Sequence, residues 1–127
     1  MKLVTGGAYQ NKTEFAKKQF GLNDNDVISG RNETNTEILS GCRAVRDYEY
    51  VVRYNIENGR DAGLEYDRLI SANPDIILIA SEVGCGIIPI DDLECTFREE
   101  AGRILCRAAS AADEVYRVIC GIGKKIK

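Results

Sequence analysis

Along this chain, short apolar runs that end in glycine or polar turns alternate with longer stretches in which apolar residues recur every three or four positions. That is the pattern of strands followed by amphipathic helices. Leu3 and Val4 lie in an opening run from Lys2 to Thr5 that ends at Gly6-Gly7, and Thr13 to Phe20 reads as a helix stopped by Gly21. Asn23-Asp24-Asn25-Asp26 is a turn, and Val27-Ile28-Ser29 a second short strand ending at Gly30. Thr34 and Glu37 have capping-box spacing, and Ile38, Cys42, Val45, Val52 and Ile56 follow at helical intervals. The spacing predicts one long helix to about Asn58-Gly59. A weaker helical stretch with Leu64, Leu69 and Ile70 closes at Asn73-Pro74, because the residue before proline is pushed out of the helical region.

Asp75-Ile76-Ile77-Leu78-Ile79-Ala80 is the continuous apolar run expected of a central strand covered on both faces. After a loop with Gly84, Gly86 and Pro89, Asp91 caps a long helix with Glu94 at its third position. That helix turns Leu93, Phe97, Ala101, Ile104, Leu105 and Ala108 inward, and Val115 to Cys120 returns as a strand. Strands alternating with helices predict one α/β domain over residues 1–127, with three layers and a mainly parallel central sheet.

Composition narrows the function classes. With 127 residues, 44% hydrophobic and 29% charged, the chain has room for one core of an ordinary soluble domain. No apolar run approaches the roughly 20 residues that span a bilayer, and the N-terminus lacks a signal-peptide pattern. A cytoplasmic protein without a membrane partner is expected. A net charge of −3 argues against a nucleic-acid partner held by general electrostatics, so any bound phosphate must be met locally. The five cysteines are odd in number and contain no C-x-x-C pair, which reads as reduced, mostly buried thiols. The absence of histidine removes every mechanism that needs an imidazole base or nucleophile.

The chemistry concentrates in Gly6-Gly7-Ala8-Tyr9-Gln10-Asn11-Lys12-Thr13, which meets the Walker A pattern at every position but one, Asn11 standing for the second glycine. Such a loop wraps phosphates with backbone N–H groups at a helix N-terminus, offers a lysine to the β/γ-phosphates and a hydroxyl to Mg²⁺. Asparagine is among the few residues besides glycine that tolerate positive φ. The loop predicts ATP or GTP as ligand, Lys12 for the phosphates and Thr13 for Mg²⁺; the plain alternative is a strand-to-helix turn with a solvated lysine. Glu82 ends the most apolar strand, where it can hold Mg²⁺ or take the proton of an acceptor hydroxyl, or else cap N–H groups of the Gly84-Gly86 loop. Arg98 and Arg103 are expected to pair with Glu99, Glu100 or Glu94. Tyr48, Tyr50 and Tyr54, beside Arg46 and Arg53, suggest a protein interface, and Lys124-Lys125-Ile126-Lys127 a solvated basic tail.

Together these segments resemble the adenosylcobinamide kinase/guanylyltransferase family. Leu3-Val4-Thr5-Gly6-Gly7-Ala8 looks like its first strand and P-loop. Ser81-Glu82-Val83-Gly84-Cys85-Gly86-Ile87-Ile88-Pro89 is similar to its Asn-Glu-Val-Gly-x-Gly-[IV]-[VI]-Pro segment. Phe97-Arg98-Glu99-Glu100-Ala101-Gly102-Arg103, Ala111 to Val115, and Gly121-Ile122 with Lys125-Ile126-Lys127 resemble its C-terminal helix and strand. The resemblance implies a P-loop NTPase-like fold, a homo-oligomer, use of ATP or GTP with Mg²⁺, and phosphorylation of the hydroxyl of a corrinoid, adenosylcobinamide, followed by GMP transfer. It also carries nucleotide contacts to Ser29 and Gly30.

The departures from the family are specific. Its GMP transfer passes through a histidine, and with none here the expectation is a kinase without the guanylyl step. Leu105 and Cys106 replace the Asn-Gln pair after the Gly-Arg dipeptide. The stretch between the loop and Ser81 is short, and no strand ending in a Walker B aspartate is evident in it. The rival expectation is a non-catalytic nucleotide-binding or regulatory protein on the same fold; a third is an interaction module that binds no nucleotide.

Overall fold

The opening apolar run becomes β1 (Lys2–Thr5), and Lys12–Phe20 forms α1, closed by Gly21 at φ 61°. A computed structural model of the chain describes residues 1–84 and 91–127. After a 3₁₀ turn (Asp24–Asp26) come β2 (Val27–Ser29), α2 (Thr36–Ser40), β3 (Ala44–Arg46), α3 (Tyr48–Glu57) and α4 (Ala62–Ala72). The chain continues through β4 (Ile77–Ile79), α5 (Asp92–Ala111), β5 (Glu114–Ile119) and β6 (Ile122–Lys125). The six strands form one sheet in the order β2-β3-β4-β1-β5-β6, parallel except for the β5-β6 hairpin. This is the α/β, mainly parallel architecture of P-loop NTPase-like folds.

Period-two alternation splits the sheet between two apolar layers. Leu3, Val45, Leu78 and Val115 pack with α2, α3, α4 and α5, while Val4, Ala44, Ile77, Ile79 and Val118 pack with α1 on the other face. Leu3, Val4, Val45, Leu78, Ile79 and Val118 are all below 2% exposed, as strands covered on both faces must be.

The long helix expected to run to Asn58 is instead α2, β3 and α3. Gly41 ends α2, and Ala44 and Val45, both fully buried, form the rung between β2 and β4. The helical spacing of Ile38, Cys42, Val45 and Val52 was coincidental: Ile38 is 51% exposed, and Val45 faces the core from a strand. Asn35, not Thr34, caps α2, accepting from Glu37 N–H at 2.9 Å. The basic tail is also corrected, since Lys124 and Lys125 belong to edge strand β6 and Lys125 pairs with Glu114 at 3.0 Å. Among the described thiols only Cys42 is buried; Cys95, Cys106 and Cys120 are exposed, against the expectation of mostly buried cysteines. Burial raises the Cys42 thiol pKa.

Among the described residues no helix is long and apolar enough to cross a membrane.

Candidate functional site

The parallel strands β1, β2, β3 and β4 all end on one edge of the sheet, where ligands of open α/β folds collect. Their next residues are Gly6, Gly30, Asp47 and the Ala80-Ser81-Glu82 segment. Of these, Asp47, Ser81 and Glu82 line, with the start of α1, an open cavity of about 950 Å³. Volumes of roughly 300–1,000 Å³ are usual for small-molecule sites, so this one stands at the large end.

Ala8 to Thr13 of the glycine loop form part of the cavity wall. Gly6 sits at φ 149°, and a Cβ there would stand 2.3 Å from the Val118 carbonyl oxygen, so no side chain fits. Asn11 precedes α1 in the left-handed conformation (φ 65°, ψ 30°), the backbone for which a P-loop uses glycine. Its side chain does not cap α1, so no side-chain oxygen occupies the N-terminal amides of the helix at that position. From the far side the β5-β6 turn braces the loop. Gly121 N–H donates to the Gln10 carbonyl at 3.0 Å and Cys120 N–H to Gln10 Oε1 at 2.6 Å.

Lys12, 9% exposed, folds back to donate to the Gly7 carbonyl at 2.7 Å and to Ser81 Oγ at 3.2 Å. Desolvation lowers its pKa, opposed by the negative charges of Glu49, Asp47 and Glu82. Among the described residues this buried ammonium has carboxylates nearby and no direct ion pair. Thr13, also in the cavity wall, follows it in the first turn of α1.

Three carboxylates face this cation. Glu82 accepts both Arg117 Nε and Nη2 at 2.9 Å, a bidentate pair. Glu49, 7% exposed, accepts from Ser81 N–H at 3.0 Å. Asp47, directly after β3 and in the left-handed region (φ 55°), takes the Ser29 hydroxyl on Oδ2 at 3.0 Å. Its Oδ1 accepts no hydrogen bond among the described residues. Gly30 is required by this arrangement, because a Cβ there would meet the Asp47 carbonyl oxygen at 2.7 Å.

The loop, Lys12, Thr13 and Glu82 thus converge as the sequence suggests. Asp47 and Glu49 escaped sequence reasoning because β3 was read as helix; the signal was the pair of small or β-branched residues Ala44-Val45 ending in a charged Arg46-Asp47 after Gly41. The tyrosines do not form one interface: Tyr48 is buried, Tyr50 lines the cavity and Tyr54 packs with Arg60. Arg103 pairs with Glu99 and Glu100, while Arg98 donates to the Gly84 carbonyl. The Cys85 to Pro89 part of the glycine-rich segment lies outside the described residues.

Residues 57–126 match the family described as cobinamide kinase / cobinamide phosphate guanyltransferase. The chain belongs to this family. It is 52% identical over 52 residues to the bifunctional adenosylcobalamin biosynthesis protein CobU of Salmonella typhimurium, covering 41% of this chain and 29% of that protein. It is 48% identical, over the same shares, to the protein of that name from Escherichia coli. The cobinamide kinase / cobinamide phosphate guanyltransferase match takes in α4, β4, α5 and the β5-β6 hairpin, including Ser81, Glu82 and the turn that braces Gln10. Gly6 to Thr13 and Asp47 precede the matched segment, so their case rests on geometry.

Proposed function

We propose that the chain binds ATP or GTP with Mg²⁺ at the Gly6 to Thr13 loop and transfers the terminal phosphoryl group to the hydroxyl of a cobinamide-type corrinoid. The observation that carries the reading is Lys12, a buried cation at the start of α1 beneath a left-handed loop, inside a cavity large enough for a nucleotide and part of a second reactant. Loop amides and Lys12 hold the β/γ-phosphates, which is positioning and charge neutralisation rather than covalent work. Mg²⁺ takes oxygen ligands, one or two of them carboxylates and the rest phosphate and water. The Thr13 hydroxyl and the open Oδ1 of Asp47 fit that donor set. When bound, the ion neutralises charge that develops on the phosphate oxygens.

In the proposed transfer the acceptor oxygen bonds to the γ-phosphorus, the bond from γ-phosphorus to the bridging oxygen breaks, and the nucleoside diphosphate leaves. The acceptor proton passes to a carboxylate of the cavity, for which we assign Glu82. Its Arg117 partner is half exposed, so solvent screens the pair that must open. With no histidine in the chain, the guanylyl transfer of the bifunctional relatives is assigned no residue here. The homo-oligomer that the resemblance implies has a candidate surface at edge strand β6, where Ile122 is 76% exposed and neighbouring Ile119 58%; sedimentation velocity tests it.

The decisive experiment uses γ-labelled ATP and GTP with adenosylcobinamide. Label is expected in the corrinoid with the wild type and not with Lys12→Ala. Binding without transfer selects a non-catalytic nucleotide-binding protein, and equal nucleotide affinity for both proteins overturns the loop assignment. Incubation with α-labelled GTP is expected to leave no acid-labile GMP on the protein, because no imidazole is present to form the phosphoramidate.

A further inference from the structure

Beside Asp47 stand two guanidiniums that the proposed transfer does not use. Arg31 follows β2 by two residues, and Arg46 ends β3; Ser29 and Arg46 are register partners in the sheet. Both line the cavity and are about half exposed. Each reaches toward the same atom, Asp47 Oδ2, with Nε at 3.7 Å from Arg31 and 3.8 Å from Arg46. Those separations are too long for hydrogen bonds, and Oδ2 is already taken by the Ser29 hydroxyl at 3.0 Å. One carboxylate is thus shared by two cations, which leaves a net positive charge there.

Among the described residues neither guanidinium makes a hydrogen bond, so their planar forks of five N–H donors each have no protein acceptor. The third arginine of the cavity differs: Arg53 donates to Glu57 and to Glu94. Arg31 is also oriented, its guanidinium lying 3.8 Å from the centroid of the Tyr50 ring. An oriented guanidinium beside a second one, both with unused forks, is the geometry that recognises a phosphate by paired hydrogen bonds.

We propose that Arg31 and Arg46 form a second phosphate-binding site, holding a phosphate dianion outside the loop, beside Asp47 in the same cavity. The proposal rests on the nucleotide reading above for its biological role. Two sources share this chemistry: the terminal phosphate of the nucleotide, and a phosphomonoester on the acceptor, which is the product of the proposed transfer.

Calorimetry on the intact chain separates them, with Arg31→Gln/Arg46→Gln as the test variant and Arg31→Lys/Arg46→Lys keeping the charge without the fork. The wild type saturated with ADP is titrated with inorganic phosphate and with a simple phosphomonoester. If the site serves the acceptor side, these bind the wild type and bind the glutamine variant about ten- to a hundredfold more weakly, as expected for loss of charge-assisted hydrogen bonds. If it serves the nucleotide, the preference of the wild type for ATP over ADP falls by the same factor in the variant. In either case ADP affinity stays within about twofold, and the lysine variant is intermediate. Should no nucleotide bind at all, the loop reading fails, and phosphate titrated into the nucleotide-free protein still tests the arginines. Unchanged affinities for every ligand in the glutamine variant, or no phosphate compound bound by the wild type, overturn the proposal.

Discussion

Asn11 and Lys12 carry opposite strains for the same ligand. Asn11 holds a left-handed backbone that costs most residues with a Cβ roughly 1 kcal/mol, and that asparagine tolerates better. Asn11→Ala is expected to lower stability by about 1 kcal/mol in chemical denaturation. Asn11→Gly relieves the strain while freeing the unfolded chain, so its stability stays within about 1 kcal/mol of the wild type. Its nucleotide affinity is expected to rise, because no side chain then stands beside the loop amides; weaker binding would make the amide itself a ligand contact. Lys12 is held below its ordinary pKa of 10.5 by burial. Below that lowered pKa its buried charge destabilises the free fold, and stability rises with pH from there up to the unfolded value of 10.5. Lys12→Met is therefore expected to melt no lower than the wild type at neutral pH while losing nucleotide. A bound phosphate draws the pKa back up, so affinity falls as pH rises through the free-protein value, with proton uptake on binding. Calorimetry in buffers of different ionisation enthalpy reads that uptake. This much of the site was legible, because a Walker pattern states which backbone and which cation it needs. Exposure of Cys95, Cys106 and Cys120 was not legible, since composition does not say which face of an element a thiol takes.

At the scale of elements, the unexpected strand β3 supplies the cavity with Asp47. Three residues are too few to establish a period of two, and flanking apolar residues happened to fall at helical intervals. What makes Ala44–Arg46 a strand is tertiary: it fills the gap between β2 and β4 and completes both apolar layers. Edge strand β6 was missed for a related reason, as Gly123 and the lysines Lys124 and Lys125 carry no apolar alternation. Where burial dictated pattern, as in β1, β4 and α5, the elements were readable. The crossing of β2 and β3 is tight at Gly30, whose added Cβ would lie 2.7 Å from both the Asp47 carbonyl oxygen and Val51 Cγ2. Gly30→Ala is expected to cost about 1–3 kcal/mol by overpacking. Because the displaced atom belongs to Asp47, it should also weaken Mg-nucleotide binding more than binding of nucleotide in EDTA. Equal losses in the two conditions would argue that Asp47 lies away from the metal.

For the whole molecule, the loop after β1 is finished by β5 and the β5-β6 turn. β1 is flanked by β4 and β5, a Cβ-free Gly6 lies against Val118, and the turn at Cys120-Gly121 donates both its amides to Gln10. During synthesis Gln10 is therefore made 110 residues before the Cys120 amide that braces it, and until then the loop lacks the neighbours on which a phosphate cradle is built. Nucleotide capture becomes a sign that β5 and β6 have been made and have docked beside β1. Chains stalled before residue 113 are expected to ignore immobilised ATP that chains extending through β6 retain, even though they carry every residue from Gly6 to Thr13.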